Sequence, residues 1–140
     1  MAEEKVQFEL VSPEKFLFSR EVDMVVIPGA EGDMGILPRH SPAITNVRPG
    51  TIVVYEDGLV TDRIFVAGGF AEVCDNRCTV LAEEALPVED IDKVAAEQLL
   101  DDARNNASAA KSDAETRVAT TAIAVGEAKL QSLENPAYNN

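Results

Sequence analysis

Tryptophan is absent from this chain, histidine occurs once, as His40, and cysteine twice, as Cys74 and Cys78. The chain therefore has no tryptophan to serve as a platform for sugar binding. One histidine and two cysteines are too few for a zinc site without further ligands. No cluster of candidate acid, base and nucleophile is visible, so neither an enzyme nor a free-standing ligand-binding module is favoured. Basic residues are scarce: 12 Lys and Arg stand against 25 Asp and Glu, a formal net charge of -13. Nucleic acid and anionic membrane surfaces are therefore poor direct partners, because phosphate contacts need Lys and Arg. No apolar run approaches the roughly 20 residues needed to span a bilayer. The first residues carry neither a basic start nor an apolar segment, so no signal peptide is expected and the chain is expected to stay in the cytosol or its equivalent.

The two cysteines flank a short polar turn, Asp75-Asn76-Arg77. A cross-strand disulfide is sterically conceivable there but disfavoured in a reducing compartment. The reading preferred is two small reduced side chains in paired strands.

What the sequence does have is concentrated between Val25 and Pro42. An apolar run stops at Pro28-Gly29, an acidic Gly-rich loop with Glu31 and Asp33 follows, and Gly35-Ile36-Leu37-Pro38 resumes the strand. Glycine supplies positive φ and the prolines block ladder bonds, so the connection is tight and pre-shaped. It carries carboxylates rather than Lys or Ser/Thr, and no strand-to-helix pattern surrounds it, so it is no phosphate cradle. It reads either as a rigid loop presenting Glu31 and Asp33 to a partner or as a solvated surface turn.

Around it the chain reads as short strands. Val6, Phe8 and Leu10 alternate with Gln7 and Glu9, a half-buried strand over Lys5 to Val11. Strands are expected at Lys15 to Ser19 and Val22 to Ile27, with a break at Ser19-Arg20-Glu21, and at Ala43 to Val47. Thr51 to Tyr55 and Leu59 to Ala67 flank Asp57-Gly58, a strong hairpin signal. Gly68-Gly69 within a strand pattern indicates a bulge or a corner where another backbone comes close. Phe70 to Cys74 and Cys78 to Glu83 form the last hairpin. About eight to ten short antiparallel strands indicate an all-β sandwich or barrel over residues 1–87.

Composition then changes. Six of the seven prolines and seven of the eight glycines lie at or before Pro87, whereas 12 of the last 52 residues are alanine, so helix replaces strand. Residues 88–140 read as an antiparallel helical hairpin, with helices at about 89–105 and 112–134 and a frayed end. Glu89, Asp90 and Asp92 suit a helix start. Ile91, Val94, Ala95, Leu99 and Ala103 form one apolar stripe, and Val118, Ala122, Val125, Ala128 and Leu133 another. Ser112-Asp113-Ala114-Glu115 is a capping-box pattern. Alanine-rich helices bury few methyl groups, so the hairpin should dock weakly.

Four motifs in order carry a family resemblance: Val26 to Pro42, Val47-Arg48-Pro49-Gly50, Val66 to Val73, and Thr79 to Ala85. Together they cover nearly the whole chain and resemble the epsilon subunit of F-type ATP synthases, whose mitochondrial counterpart is called delta. The resemblance implies a β-sandwich followed by a helical hairpin in a non-catalytic rotor subunit at the foot of the central stalk. Its partners would be the gamma subunit and the c-ring, on the cytoplasmic side of a bacterial inner membrane. It would couple c-ring rotation to ATP synthesis and would hold no metal and no resident cofactor.

Site residues follow from the same resemblance. Glu31, Asp33, Met34, Arg39 and His40 match family positions at the c-ring and gamma interface, with Glu31 and Asp33 facing basic ring loops and His40 near the same interface. Some family members use the hairpin as a brake on hydrolysis, reaching the alpha/beta head, and bind ATP through an Ile/Leu-Asp-x-x-Arg-Ala motif. Here Leu100, Asp101 and Arg104 match, with Asn105 in place of the alanine. Against ATP as a weak regulatory ligand, residues 89–140 hold ten acidic and five basic groups, which repel phosphate. The simpler alternative makes Asp101 and Arg104 a local i,i+3 pair on a solvated face.

Overall fold

The computed structural model describes residues 4–13 and 17–134; the expected strand start at Lys15 and the expected frayed end lie outside them. Among the described residues the chain forms ten strands: β1 (Val6–Val11), β2 (Leu17–Val22), β3 (Met24–Gly29), β4 (Gly32–Ile36), β5 (His40–Asn46), β6 (Gly50–Glu56), β7 (Leu59–Ala67), β8 (Phe70–Asp75), β9 (Arg77–Leu81) and β10 (Glu84–Pro87). Two helices, α1 (Lys93–Ala109) and α2 (Asp113–Glu134), follow a 3₁₀ turn at Val88–Asp90. The strands form two five-stranded sheets, one ordered β2-β1-β9-β8-β5 and the other β10-β7-β6-β3-β4. This is a β-sandwich followed by a helical hairpin. The neighbouring strands pair antiparallel except β1 and β9, which run parallel.

Strand alternation accounts for the core. Val6, Phe8 and Leu10 of β1 are fully buried and meet Ile27, Ile36, Ile52, Val54, Ile64 and Val66 of the facing sheet. In β6 and β7 alternation fails: Ile52, Val53 and Val54 are all buried, as are Ile64, Phe65, Val66 and Ala67. A strand apolar on both faces is covered on both. The outer cover is α2, whose Val125, Ala128 and Leu133 pack with Phe65, Ala67 and Ile91 in a second apolar cluster.

Two sharp connections behave as their residues require. Asp57 and Gly58 both take positive φ, 54° and 76°, in the β6–β7 hairpin. At the corner where the chain leaves one sheet for the other, Gly69 has φ 92°, and a Cβ there would stand 1.8 Å from the Leu81 carbonyl oxygen. The expected close approach of another backbone is the rim of β9.

Several boundaries differ from expectation. The break between the second and third strands falls at Asp23, not at Ser19-Arg20-Glu21, because Asp23 is anchored on both carboxylate oxygens: the Lys5 ammonium bonds Oδ1 and the Asp57 amide donates to Oδ2 at 2.6 Å. The first helix starts at Lys93 rather than near residue 89, because Asp92 is its N-cap, accepting from the Ala95 amide at 3.1 Å. The acidic Glu89 and Asp90 belong to the preceding 3₁₀ turn. Ser112 caps α2 as expected, accepting from the Glu115 amide at 3.1 Å.

The helix stripes are also shifted. On α1 the buried residues are Ala96, Leu100 and Ala103, while Val94 is 74% exposed. On α2 they are Ala119, Gly126 and Ser132, while Val118 is 72% exposed. Gly126 sets the spacing: a Cβ there would lie 3.1 Å from Leu100 Cβ, so the two helices approach closely at that level. The hairpin turns one side of α2 to α1 and another to the sandwich, and a single stripe per helix could not describe that.

Candidate interaction surfaces

The acidic loop is a two-residue turn, Ala30-Glu31, closing the β3–β4 hairpin. Glu31 is exposed at its tip and has no partner among the described residues. Asp33 differs. Its carboxylate is paired with Arg48 Nη2 at 2.5 Å, and Arg48 Nη1 donates to the Gly29 carbonyl at 2.6 Å. The Arg48 amide donates to Pro28 O at 2.9 Å and the Ala30 amide to Asn46 O at 2.8 Å. Val47 bridges Gly29 and gives its amide to Gly69 O at 3.1 Å. The hairpin is thus lashed from three directions to the segment 46–48. The ion pair is half-exposed and contributes at most about 1 kcal/mol on its own; the guanidinium fork fixes geometry more than it adds energy.

The other expected interface residues divide. Met34 is half-buried and packs against the sandwich core. Arg39 and His40 do not join the Glu31 tip. From Glu31 to Leu37 the chain runs the length of β4, roughly 20 Å at about 3.3 Å per residue. Arg39, at φ 62°, gives its amide to Asn76 Oδ1 at 2.7 Å, and its Nε meets the Glu4 carboxylate at 3.3 Å. His40 opens β5 opposite Asp75, and its Nδ1 stands 2.6 Å from the Ser41 carbonyl oxygen, a contact that places the proton on Nδ1. These two sit at the far end of the sandwich, because β4 carries the chain away from the tip and only β5 brings it back.

Leu100, Asp101 and Arg104 do not form a pocket either. Leu100 is buried against Gly126, Asp101 is exposed, and Arg104 reaches across to Glu127 of α2 at 3.7 Å. Arg104 therefore bridges the helices, in place of the expected local pair with Asp101. Asp102 instead accepts from Gln98 at 2.9 Å. No group of three or more His, Cys, Asp and Glu able to hold a metal occurs among the described residues. Cys74 is exposed and Cys78 buried, both free; burial pushes the Cys78 thiol up to about 12.

Sequence reading missed two contributors. Arg48 was visible only as part of a turn, although it is the nearest cation in sequence to the loop carboxylates on the C-terminal side after Arg39. Lys129 lay on the polar side of the expected stripe, yet its ammonium meets Glu84 of β10 at 2.7 Å with only 18% of the side chain exposed. The hairpin is further tied by a 2.7 Å hydrogen bond between the hydroxyls of Thr51 and Ser132. No helix among the described residues is long and apolar enough to cross a membrane.

Comparison with known proteins agrees with this architecture. The family model of the ATP synthase Delta/Epsilon chain, beta-sandwich domain, matches residues 5–88. The ATP synthase epsilon chain of Rhodospirillum rubrum is 50% identical over 127 residues, covering 91% of this chain and 95% of that one. That of Rhodospirillum centenum is 52% identical over 132 residues, covering 91% and 90%. Among solved structures, a chain in the OSCP/F1/c-ring of Euglena gracilis mitochondrial ATP synthase superposes with a TM-score of 0.81 at 27% identity, covering 94% of this chain and 83% of that one. The ten-stranded sandwich, the helical hairpin and these matches together place the chain in the ATP synthase delta/epsilon family, as an epsilon chain.

Proposed function

We propose that this chain is the foot of the central stalk of a proton-translocating ATP synthase, transmitting rotation without chemistry of its own. The observation that carries the reading is the β3–β4 hairpin, whose exposed Glu31 tip is braced by Arg48, Val47 and Gly69. Force passed through a loose loop is lost as local deformation; a tip tied to both sheets moves with the whole sandwich. Glu31 suits contact with basic loops of a c-ring, and the gamma subunit is the neighbour along the shaft. In this reading the chain is a peripheral subunit on the cytoplasmic side of a bacterial inner membrane.

Asp33 and Met34 act behind the tip, one in the Arg48 brace and one in the core. Arg39 and His40, at the opposite end, serve a contact other than the ring. Leu100 and Arg104 hold the hairpin together rather than bind ATP. An inhibitory hairpin is not favoured, because α2 is docked through the Phe65 cluster and its net charge is acidic.

The test uses membrane vesicles carrying the whole synthase, stripped of this chain and then reconstituted. Proton-driven ATP synthesis should fall on stripping and return when the wild-type chain is added. Undiminished synthesis by the stripped assembly would overturn the reading.

A further inference from the structure

The ladder that joins β3 to β6 stops short of the Glu31 tip. Its register runs from Met24 opposite Tyr55 to Val26 opposite Val53 and goes no further. Pro28 has no N–H with which to continue it, so the last residues of β3 part from β6 as they approach the turn. Two contacts close the gap. A Cβ on Gly50 would stand 3.0 Å from Pro28 Cβ, so β6 begins flush against the proline, and the Arg48 amide donates to Pro28 O at 2.9 Å. Beside them lies a cavity of about 190 Å³. Pro28, Asp33 and Arg48 form one side of it, and Ala128, Gln131 and Ser132 of α2 form another. Thr51 of β6 joins the two sides: its hydroxyl and that of Ser132 are 2.7 Å apart, and Ser132 is only 7% exposed. The end of α2 and the Asp33–Arg48 brace therefore line the same cavity.

We propose that α2 is a buttress for the Glu31 hairpin, so that helix docking and tip stiffness are coupled: release of α2 slackens the tip, and a partner seated on the braced tip favours the docked helix. The proposal rests on the stalk reading for what the tip meets and goes beyond it by giving the helices a part in holding that tip. The element with two states is the helical hairpin. It is tied to the sandwich by the Lys129–Glu84 pair, the Thr51–Ser132 bond and a small apolar cluster. A unit so lightly attached opens at a lower free energy than the sandwich beneath it. On opening, the half-exposed Asp33–Arg48 pair loses the protein wall that α2 provides and is weakened by the fuller access of water. Thr51 loses the hydroxyl that fixes the start of β6, and Pro49, which has no N–H, offers no main-chain donor between it and Arg48. Segment 46–48 carries the bonds to Ala30, Pro28 and Gly29, so play at Arg48 reaches the turn. Linkage requires the reverse effect by the same factor: whatever holds the tip braced also holds α2 down.

The experiment follows amide hydrogen exchange, residue by residue, in the full free chain. The reporters are the Ala30 amide, bonded to Asn46 O, and the Arg48 amide, bonded to Pro28 O; the control is the Asp57 amide, bonded to Asp23 at the opposite end of the sandwich. Lys129→Ala loosens α2 at Glu84 and Phe65, contacts that the brace does not share. It should speed exchange at Ala30 and Arg48 roughly threefold or more and leave Asp57 unchanged. Thr51→Val, which removes the hydroxyl and keeps a branched side chain, should do the same. In the other direction, Arg48→Ala should speed exchange of the Leu130 to Leu133 amides by a similar factor. Exchange at Ala30 and Arg48 within about twofold of wild type in Lys129→Ala overturns the coupling, because a response to Thr51→Val alone is the loss of one local bond. Unchanged α2 exchange in Arg48→Ala overturns it too, as does acceleration at Asp57 equal to that at Ala30, which would mean that the chain opens as a whole. The stalk reading stands under each of these results, since it is tested on the assembled synthase.

Discussion

Lys129 of α2 lies between Glu84 and Phe65: its ammonium is 2.7 Å from the Glu84 carboxylate and 5.7 Å from the centre of the Phe65 ring. Phe65 is fully buried beneath the helix, so a single cation clamps the hairpin to the edge strand β10 and to the outer face of β7. Around it the apolar contacts are modest, supplied by Val125, Ala128 and Leu133. The clamp is partly desolvated, which strengthens both the ion pair and the cation–π contact relative to a surface pair.

Lys129→Ala should therefore loosen the hairpin before it unfolds the sandwich, at a cost of about 1–2 kcal/mol. Native-state hydrogen exchange is the check. Amides of α1 and α2 should exchange faster, while those of β1, β6 and β7 keep wild-type protection. Equal acceleration everywhere would show that the helices and the sandwich open as one unit.

Gly69→Ala should be far more damaging. A Cβ at that position would sit 1.8 Å from the Leu81 carbonyl oxygen, and φ is 92°. The neighbouring atoms are backbone and cannot turn aside, so the corner between the sheets must open. A loss of about 3 kcal/mol or more is expected, read as a lowered urea midpoint or as insoluble protein. Gly58→Ala, at φ 76° with nothing near the added methyl, should cost about 1 kcal/mol.

How far the fold could be read from the chain follows from such local rules. Alternation in β1, Asp57-Gly58 and Gly68-Gly69 each state a conformation that only a few residues can adopt, so the sandwich was legible. The parallel pairing of β1 with β9 was not, since it depends on contacts some 70 residues apart and leaves no periodic trace. The unalternating apolar runs of β6 and β7 were read only as strands of a hairpin, although burial on both faces requires a second covering layer, and which helix face supplies it is decided by Gly126, Ser132 and Lys129, none of them apolar in the usual sense. The candidate interface was half legible. Sequence order places Arg39 and His40 close to Glu31, and strand geometry separates them.

Acid should weaken the Asp23 anchor specifically. The Lys5 ammonium first, and the Asp57 amide second, hold its carboxyl below the ordinary 3.8. A folded-state value below the unfolded one adds stability that is complete above pH 3.8 and is lost as pH falls through the lowered folded value. Asp23→Asn lacks that dependence. Wild type should thus have the higher thermal midpoint at pH 7, and the gap should close as the pH is taken below 3.8. A gap that stays constant down to pH 2 would show that the Asp23 contribution is not electrostatic.

The Glu31 hairpin offers the sharpest separation between contact and support. Glu31 has no partner among the described residues, so Glu31→Lys should leave the free chain's unfolding free energy within about 0.5 kcal/mol of wild type. If the tip meets basic ring loops, the same reversal should lower proton-driven synthesis severalfold in reconstituted vesicles, and lower salt should worsen the defect because like charges then repel over a longer range. Arg48→Ala acts from behind: it removes the guanidinium from the Asp33 carboxylate and from the Gly29 carbonyl, and should cost about 1–2 kcal/mol of stability. Arg48→Lys keeps the charge but cannot bond Asp33 and the Gly29 carbonyl with one planar fork. Its midpoint should recover more than its coupling does, because torque transfer depends on how the tip is held. If Arg48→Lys restores synthesis in proportion to stability, the brace is only a stabilising contact and the stiffness argument fails.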